Sequence, residues 1–187
     1  MTSKLKVNLI NDAGDNNIIT SDGSGVITSS KFKIGQVVSS QKSDTFTTTS
    51  TSFTDITGLS ASITPTSTSS KILVLASIQG SQEVGGNRSY LRLMRDSTPI
   101  NIADSSGSYN RLQATGGFAS AHADIMDSSL SCCFLDSPSS TSSVTYKWQG
   151  IMATGTGSLY INRSDNDTDS NVMGRGASQI TLMEVLP

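Results

Sequence analysis

The sequence predicts an all-β protein: an antiparallel, jelly-roll-like β-sandwich preceded by an extended N-terminal β arm. Three observations lead there. Ser and Thr supply 56 of the 187 residues (35 Ser and 21 Thr), whereas hydrophobic residues reach 35% and charged residues only 15%. The apolar residues fall in short β-branched or alternating clusters separated by Gly, Asn, Asp and Ser, the pattern of strands joined by turns. No window carries a sustained helical period. Disorder does not account for so polar a chain, because the net charge is only -2 and the apolar residues are patterned.

Residues 1–34 read as an attachment arm. Leu5, Val7, Leu9 and Ile10, then Ile18 and Ile19, then Val26 and Ile27, form apolar pieces. Between them lie Asn11–Asn17 and Ser21–Gly25, whose Asp-Gly and Asn/Gly clusters supply the positive φ of tight turns. Each piece is too short to bury a core alone. Such a segment gains order by pairing its strands with another chain.

From Gly35 to Pro187 the pattern is that of one β-sandwich. After Gln36-Val37-Val38 comes a Thr-rich stretch around Phe46 and Phe53. Leu59-Ser60-Ala61-Ser62-Ile63 alternates with period two and reads as a half-buried strand. Lys71–Ile78 is continuously apolar and bounded by turns, which suits a strand covered on both faces. Further strands are expected at Tyr90–Arg95, Pro99–Ala103, Leu130–Leu135, Val144–Ile151, Leu159–Asn162 and Gln179–Val185. About eight or nine strands with turns between them suit a sandwich or jelly roll. Residues 104–129 read as a long connection, and such loops are often functional. Within it, Tyr109 and Phe118 are candidates for an exposed recognition surface; Tyr146 and Trp148 share one strand face and belong to the core.

The charge balance of 13 basic and 15 acidic residues argues against nucleic acid as the main partner. No stretch approaches the ~20 apolar residues of a membrane helix, so no membrane insertion is expected. The start Met1–Lys6 lacks a signal peptide's apolar run. The only two cysteines, Cys132 and Cys133, are neighbours that point to opposite strand faces; a vicinal disulfide would be strained. Synthesis in a reducing cytoplasm fits them.

No catalytic, cofactor-binding or metal-binding set stands out. The single histidine, His122, precedes Asp124 in a serine-rich chain, but no nucleophile elbow accompanies it. For the paired carboxylates of a glycosidase the chain offers two glutamates, Glu83 and Glu184, and aspartates clustered where they cap turns, and nothing selects a pair. Asp165, Asp167 and Asp169 alternate like the start of a Ca²⁺ loop, but Ser170 stands where Gly is required and Gly176 where Glu is required. A solvated turn is the preferred reading. Asn87, Asn162 and Asn166 begin N-glycosylation patterns, which count for little without a signal peptide.

Several stretches, taken together and in order, carry a family resemblance. They are Ser3–Val7, Ile18–Gly25, Ser50–Pro65, Ser69–Val74, Arg92–Thr98, Phe134–Pro138 and Tyr160–Ser164. They resemble a domain recurrent in tailed phages, especially of marine bacteria and cyanobacteria, found in tail-fibre and other virion structural proteins. The match covers most of the chain and is weakest over 104–129. The resemblance implies a non-enzymatic β-sandwich on the outer surface of a virion, as a homotrimer bound to other virion proteins. A shaftless chain of an arm and one domain suits a capsid decoration or cement protein resting on the major capsid protein. The alternative is a short tail fibre or receptor-binding tip recognising host-surface glycan, and a glycan-degrading appendage comes third.

Overall fold

The computed structural model describes residues 9–15, 17–21, 27–28, 33–83, 88–112, 128–153, 156–171 and 173–187. Strands β1 (Leu9–Asn11), β2 (Asn17–Ser21) and β3 (Ile27–Thr28) form a small antiparallel sheet in the order β1-β2-β3. Its first turn is held by local chemistry. Asp12 accepts from the backbone of Gly14 (2.8 Å) through its side chain and of Asp15 (3.1 Å) through its carbonyl, and Asp15 takes φ +59°.

The remaining strands are β4 (Ile34–Lys42), β5 (Phe46–Thr48), β6 (Thr54–Ile63), β7 (Lys71–Gln82), β8 (Ser89–Arg95), β9 (Thr98–Ile100), β10 (Ser128–Asp136), β11 (Val144–Met152), β12 (Leu159–Ile161) and β13 (Ser178–Val185). One edge of β7 pairs with β10. The other pairs with β13 over Lys71–Ser77 and then with β12 over Gly80–Gln82, and β4 and β5 pair outward from these two. The facing sheet has the order β6-β11-β8-β9. All pairings are antiparallel. The succession β4-β13-β7-β10 facing β6-β11-β8-β9 is the eight-strand double Greek key of a jelly roll. The predicted sandwich is the one observed, and among the described residues no helix forms.

The core lies between the two sheets, where period-two alternation puts it. Leu59, Ala61 and Ile63 of β6 face Ile72, Val74, Ala76 and Ile78 of β7, with Leu91 and Leu93, Ile180 and Leu182 beside them. Tyr146 and Trp148 are fully buried on the inner face of β11, as their spacing predicts. Each such side chain contributes about 1.5–3 kcal/mol on burial. Gly150 continues the same face because Leu159 and Leu91 fill the space a Cβ would need. The cysteines split as expected: Cys132 is buried, which pushes its thiol up to about 11, and Cys133 is exposed.

Two element predictions needed correction. The strand expected at Pro99–Ala103 is Thr98–Ile100, because Asn101 turns the chain with φ +49°. Strand β7 is covered on its inner face, but its outer side chains Leu73, Leu75 and Ser77 stay half-buried.

Candidate functional site

Strand direction gives the jelly roll two poles. At the base pole lie the start of β4, the ends of β13 and β10, and the start of β7: Ile34 pairs with Val185, Val185 with Lys71, and Asp136 with Ile72. The arm therefore joins the sandwich beside its C-terminal strand, and Leu186 N donates to Lys33 O (2.7 Å). At the opposite, distal pole β4, β7 and β11 end and β10 begins, with Ser128 opposite Gly80. The connections after β4, β7 and β11, and the long one leading into β10, start or end at this pole.

The base is clasped by two polar groups. Glu184 is fully buried on β13 and accepts from Thr66 N (2.6 Å), Thr66 Oγ1 (2.7 Å) and Gln36 Nε2 (2.8 Å). Burial alone would raise its carboxyl, but these hydrogen bonds outweigh it and hold the group below the ordinary glutamate value of 4.5. A carboxyl with a depressed folded value stabilises the protein above its unfolded value, and that contribution is lost as pH falls through the folded one. Glu184→Gln is expected to cost about 1–3 kcal/mol at neutral pH, because an amide cannot accept at both positions. The gap between variant and wild type should narrow as pH falls below the ordinary glutamate value and the wild-type carboxylate protonates. Urea midpoints at neutral pH and in acid check this; a gap that persists undiminished in acid would contradict it. The second group is Asp136, which takes Arg95 Nη1 on both oxygens (2.9 Å each) and Tyr146 OH (2.7 Å). Burial, then the hydrogen bond to Asp136, pushes the Tyr146 phenol up.

The distal pole is organised by Asn162, in the left-handed region at φ +62° and fully buried. Its Nδ2 donates to the carbonyls of Lys42 (2.8 Å) and Asp44 (2.9 Å), and its Oδ1 accepts from Ser178 Oγ (2.6 Å). Its backbone N–H donates to Gln79 O (2.9 Å) and its carbonyl accepts from Gly176 N (3.2 Å). One side chain thus ties together β4, β13 and the end of β12. The amide is committed, so this N-glycosylation pattern lies in the interior.

The alternating aspartates sit in the loop that the Arg163–Arg175 bridge closes. Asp167 pairs with Arg175 (2.6 Å) and Arg163 (3.6 Å), and the Arg163 guanidinium lies 4.3 Å over the Tyr160 ring. Arg163 also donates to the carbonyls of Ser164 (2.8 Å) and Asp165. The Asp167 carboxylate and the carbonyls of Ser164 and Asp165 are taken by guanidinium groups, which makes the stretch a charge-clamped turn. Beside it is an open cleft of about 310 Å³ lined by Asp167, Thr168, Asp169, Ser170, Met173 and Arg175. Among the described residues no group of three or more His, Cys, Asp or Glu could hold a metal ion.

Tyr109 projects from the connection after β9 and is 80% exposed, on a turn held by Tyr109 N to Ser106 O (3.1 Å). Phe118, His122 and Asp124 lie outside the described residues, as do Leu5, Val7 and Val26 of the arm. Leu9 and Ile10 are exposed, Ile18 and Ile19 are half-buried, and Ile27 is described by its backbone alone. The two glutamates are at opposite poles: Glu184 pairs with Ile72, while Glu83 follows β7 and donates its N–H to Ser158 O. Eleven residues of strand separate those levels by about 35 Å. A glycosidase pair needs about 5–9.5 Å. Sequence reasoning marked Asn162 only as the start of an N-glycosylation pattern and missed its structural role; the signal for that role is its position directly after a strand-forming Leu-Tyr-Ile.

No family model matches the chain, and no curated protein matches it. Among solved structures, the chain is similar to one in the structure of infectious bursal disease virus Gt strain. The identity is 16% and the TM-score 0.38, over 87% of this chain and 41% of that one. The chain thus spans less than half the length of that viral neighbour.

Proposed function

We propose that this protein is a non-enzymatic bacteriophage virion structural protein. It is a knob on the outer surface of the particle, seated by its N-terminal arm (1–34), and serves in capsid decoration. The observation that carries this reading is the polarity of the molecule. The arm leaves at the base, and the connections after β4, β7 and β11 and the one into β10 meet at the distal pole. An anchor and a display surface are thereby held apart by the full length of the sandwich. The family resemblance of the sequence supports a virion role, and the jelly roll is a fold that capsid proteins use. Fold alone does not specify function, so the argument rests on where the arm and loops are. As the resemblance implies, the knob is a homotrimer whose arms pair with neighbouring virion proteins such as the major capsid protein.

Immunogold labelling of purified particles tests it: gold over the head is expected, and gold confined to the tail overturns decoration. A receptor-binding tip is the second reading, favoured by the exposed Tyr109 and by the distal cleft, whose hydroxyls, carboxylates and arginine suit sugar hydroxyls. Glycan-array binding by the 35–187 fragment checks that alternative, and silence across host polysaccharides counts against it.

A further inference from the structure

The outer face of the β4-β13-β7-β10 sheet differs from that of the facing sheet. Cross-strand register aligns Val37, Met183, Leu73 and Leu135 in one row, and Ser39, Thr181, Leu75 and Cys133 in the next. Val37 is 55% and Leu135 46% exposed, and Ile34 adds a further exposed apolar side chain at the same end. Beside the rows a depression of about 300 Å³ is lined by Leu75, Ser77, Gln179, Thr181 and Met183, among others. Along all four strands the outward positions carry a single charge, Lys71. The outer face of the other sheet is the opposite. There Lys147 pairs with Asp55 (2.7 Å), Gln149 joins Asp55 (2.6 Å) and Arg92 (2.9 Å), and Arg92 lies over Phe53. That face satisfies itself in water.

We infer that the β4-β13-β7-β10 face is covered by a second copy of this chain. Three features select that occupant. The continuous apolar run of β7 is the pattern of a strand buried on both sides, yet within one copy only the inner side is buried. A nearly uncharged face offers an acidic or basic foreign protein nothing to recognise, while it leaves few charges to be stranded against a second copy, as the core of an interface requires. Four strands at about 4.8 Å spacing and nine residues at about 3.3 Å give roughly 600 Å² in projection, the order of the ~800 Å² per partner of a standard interface. The face also adjoins Lys33, where the arm leaves, so copies joined here would present their arms together. The inference rests on the proposed reading of an assembling knob, but it can fail without it.

Cys133 is exposed on this face and serves as a built-in reporter. The full-length chain is examined by sedimentation equilibrium and by maleimide labelling of native protein, alongside Leu135→Arg, Ser131→Arg and, as control, Ser60→Arg on the opposite sheet. Ser131 is already exposed and outward, so its substitution leaves the core untouched even if Leu135→Arg fails to fold. The expected result is an oligomer for wild type and control, a monomer for the face variants, and Cys133 labelling roughly ten-fold or more slower in the oligomer, since a thiol must be accessible to react. A wild type that stays monomeric up to concentrations on the order of 0.1 mM overturns the inference, since mass action should drive assembly there. That holds whether Cys133 reacts freely (a foreign partner) or is shielded (the chain's own arm). An oligomer that survives in Ser131→Arg with unchanged labelling overturns it too. None of these outcomes bears on where gold falls on the particle.

Discussion

Deletion of residues 1–32 is expected to leave a folded jelly roll that no longer enters particles. Among the described residues, the three strands of the arm pair only with one another. The first residue engaged by the sandwich is Lys33, whose carbonyl takes Leu186 N, and the first strand residue is Ile34. Among the described residues, truncation before Lys33 therefore removes no core side chain and no ladder hydrogen bond of the sandwich. Its thermal stability should change by less than about 1 kcal/mol, the range of surface changes that touch no core feature. Leu9 and Ile10, exposed on the isolated chain, would lose the partner strands that the arm is proposed to find on the particle. Each 1.4 kcal/mol of lost arm binding lowers occupancy about ten-fold at a given concentration, and three strands of pairing should exceed that several times. Circular dichroism melts of the truncated protein, and blotting of purified particles at matched expression, measure the two halves. Incorporation at the wild-type level would refute the anchor, and loss of the folded transition would refute the independence of the sandwich.

The sandwich was legible wherever a strand had one wet and one dry face. The alternation in Leu59–Ile63 and Val144–Trp148 marks such strands, and the opposite fates of Cys132 and Cys133 follow from the same period. Legibility failed where tertiary contacts replace pattern. Strand β5 is three residues long and exists because it pairs with β12. Lys42 closes β4, yet its charged side chain is buried at an inward position, where it reaches Asp44 at 2.9 Å. Glu184 reads as a candidate acid but acts as a clasp, because its acceptors are filled by residues over a hundred positions away. The uninterrupted apolar run of β7 told of two buried faces, and one copy supplies one. The candidate recognition surface was the least legible, since an exposed aromatic in a loop carries no period to read.

Replacing Asn162 with alanine should be the most damaging single change at the distal pole. The substitution removes three side-chain hydrogen bonds at once and leaves the buried carbonyl of Lys42 without its donor. It also puts a Cβ-bearing residue with no local hydrogen bond at φ +62°, a conformation asparagine tolerates far better. Unsatisfied buried groups cost about 1–3 kcal/mol each, partly relieved by water near the rim, so a loss of about 3–4 kcal/mol is expected. Asn162→Gly separates the two causes. Glycine adopts the left-handed region freely but makes none of the side-chain bonds, so it should recover about 1 kcal/mol of the alanine deficit. Urea unfolding of both variants measures the difference. Equal losses would mean that the backbone carries no strain there, and a small loss in both would remove Asn162 from its place as the tie between β4, β12 and β13. Because those strands frame the distal loops, the same variants should loosen the Asp167–Arg175 clamp. Faster proteolysis within 163–175, at unchanged cleavage of the base loop 64–70, is the pattern that a hub at the distal pole requires.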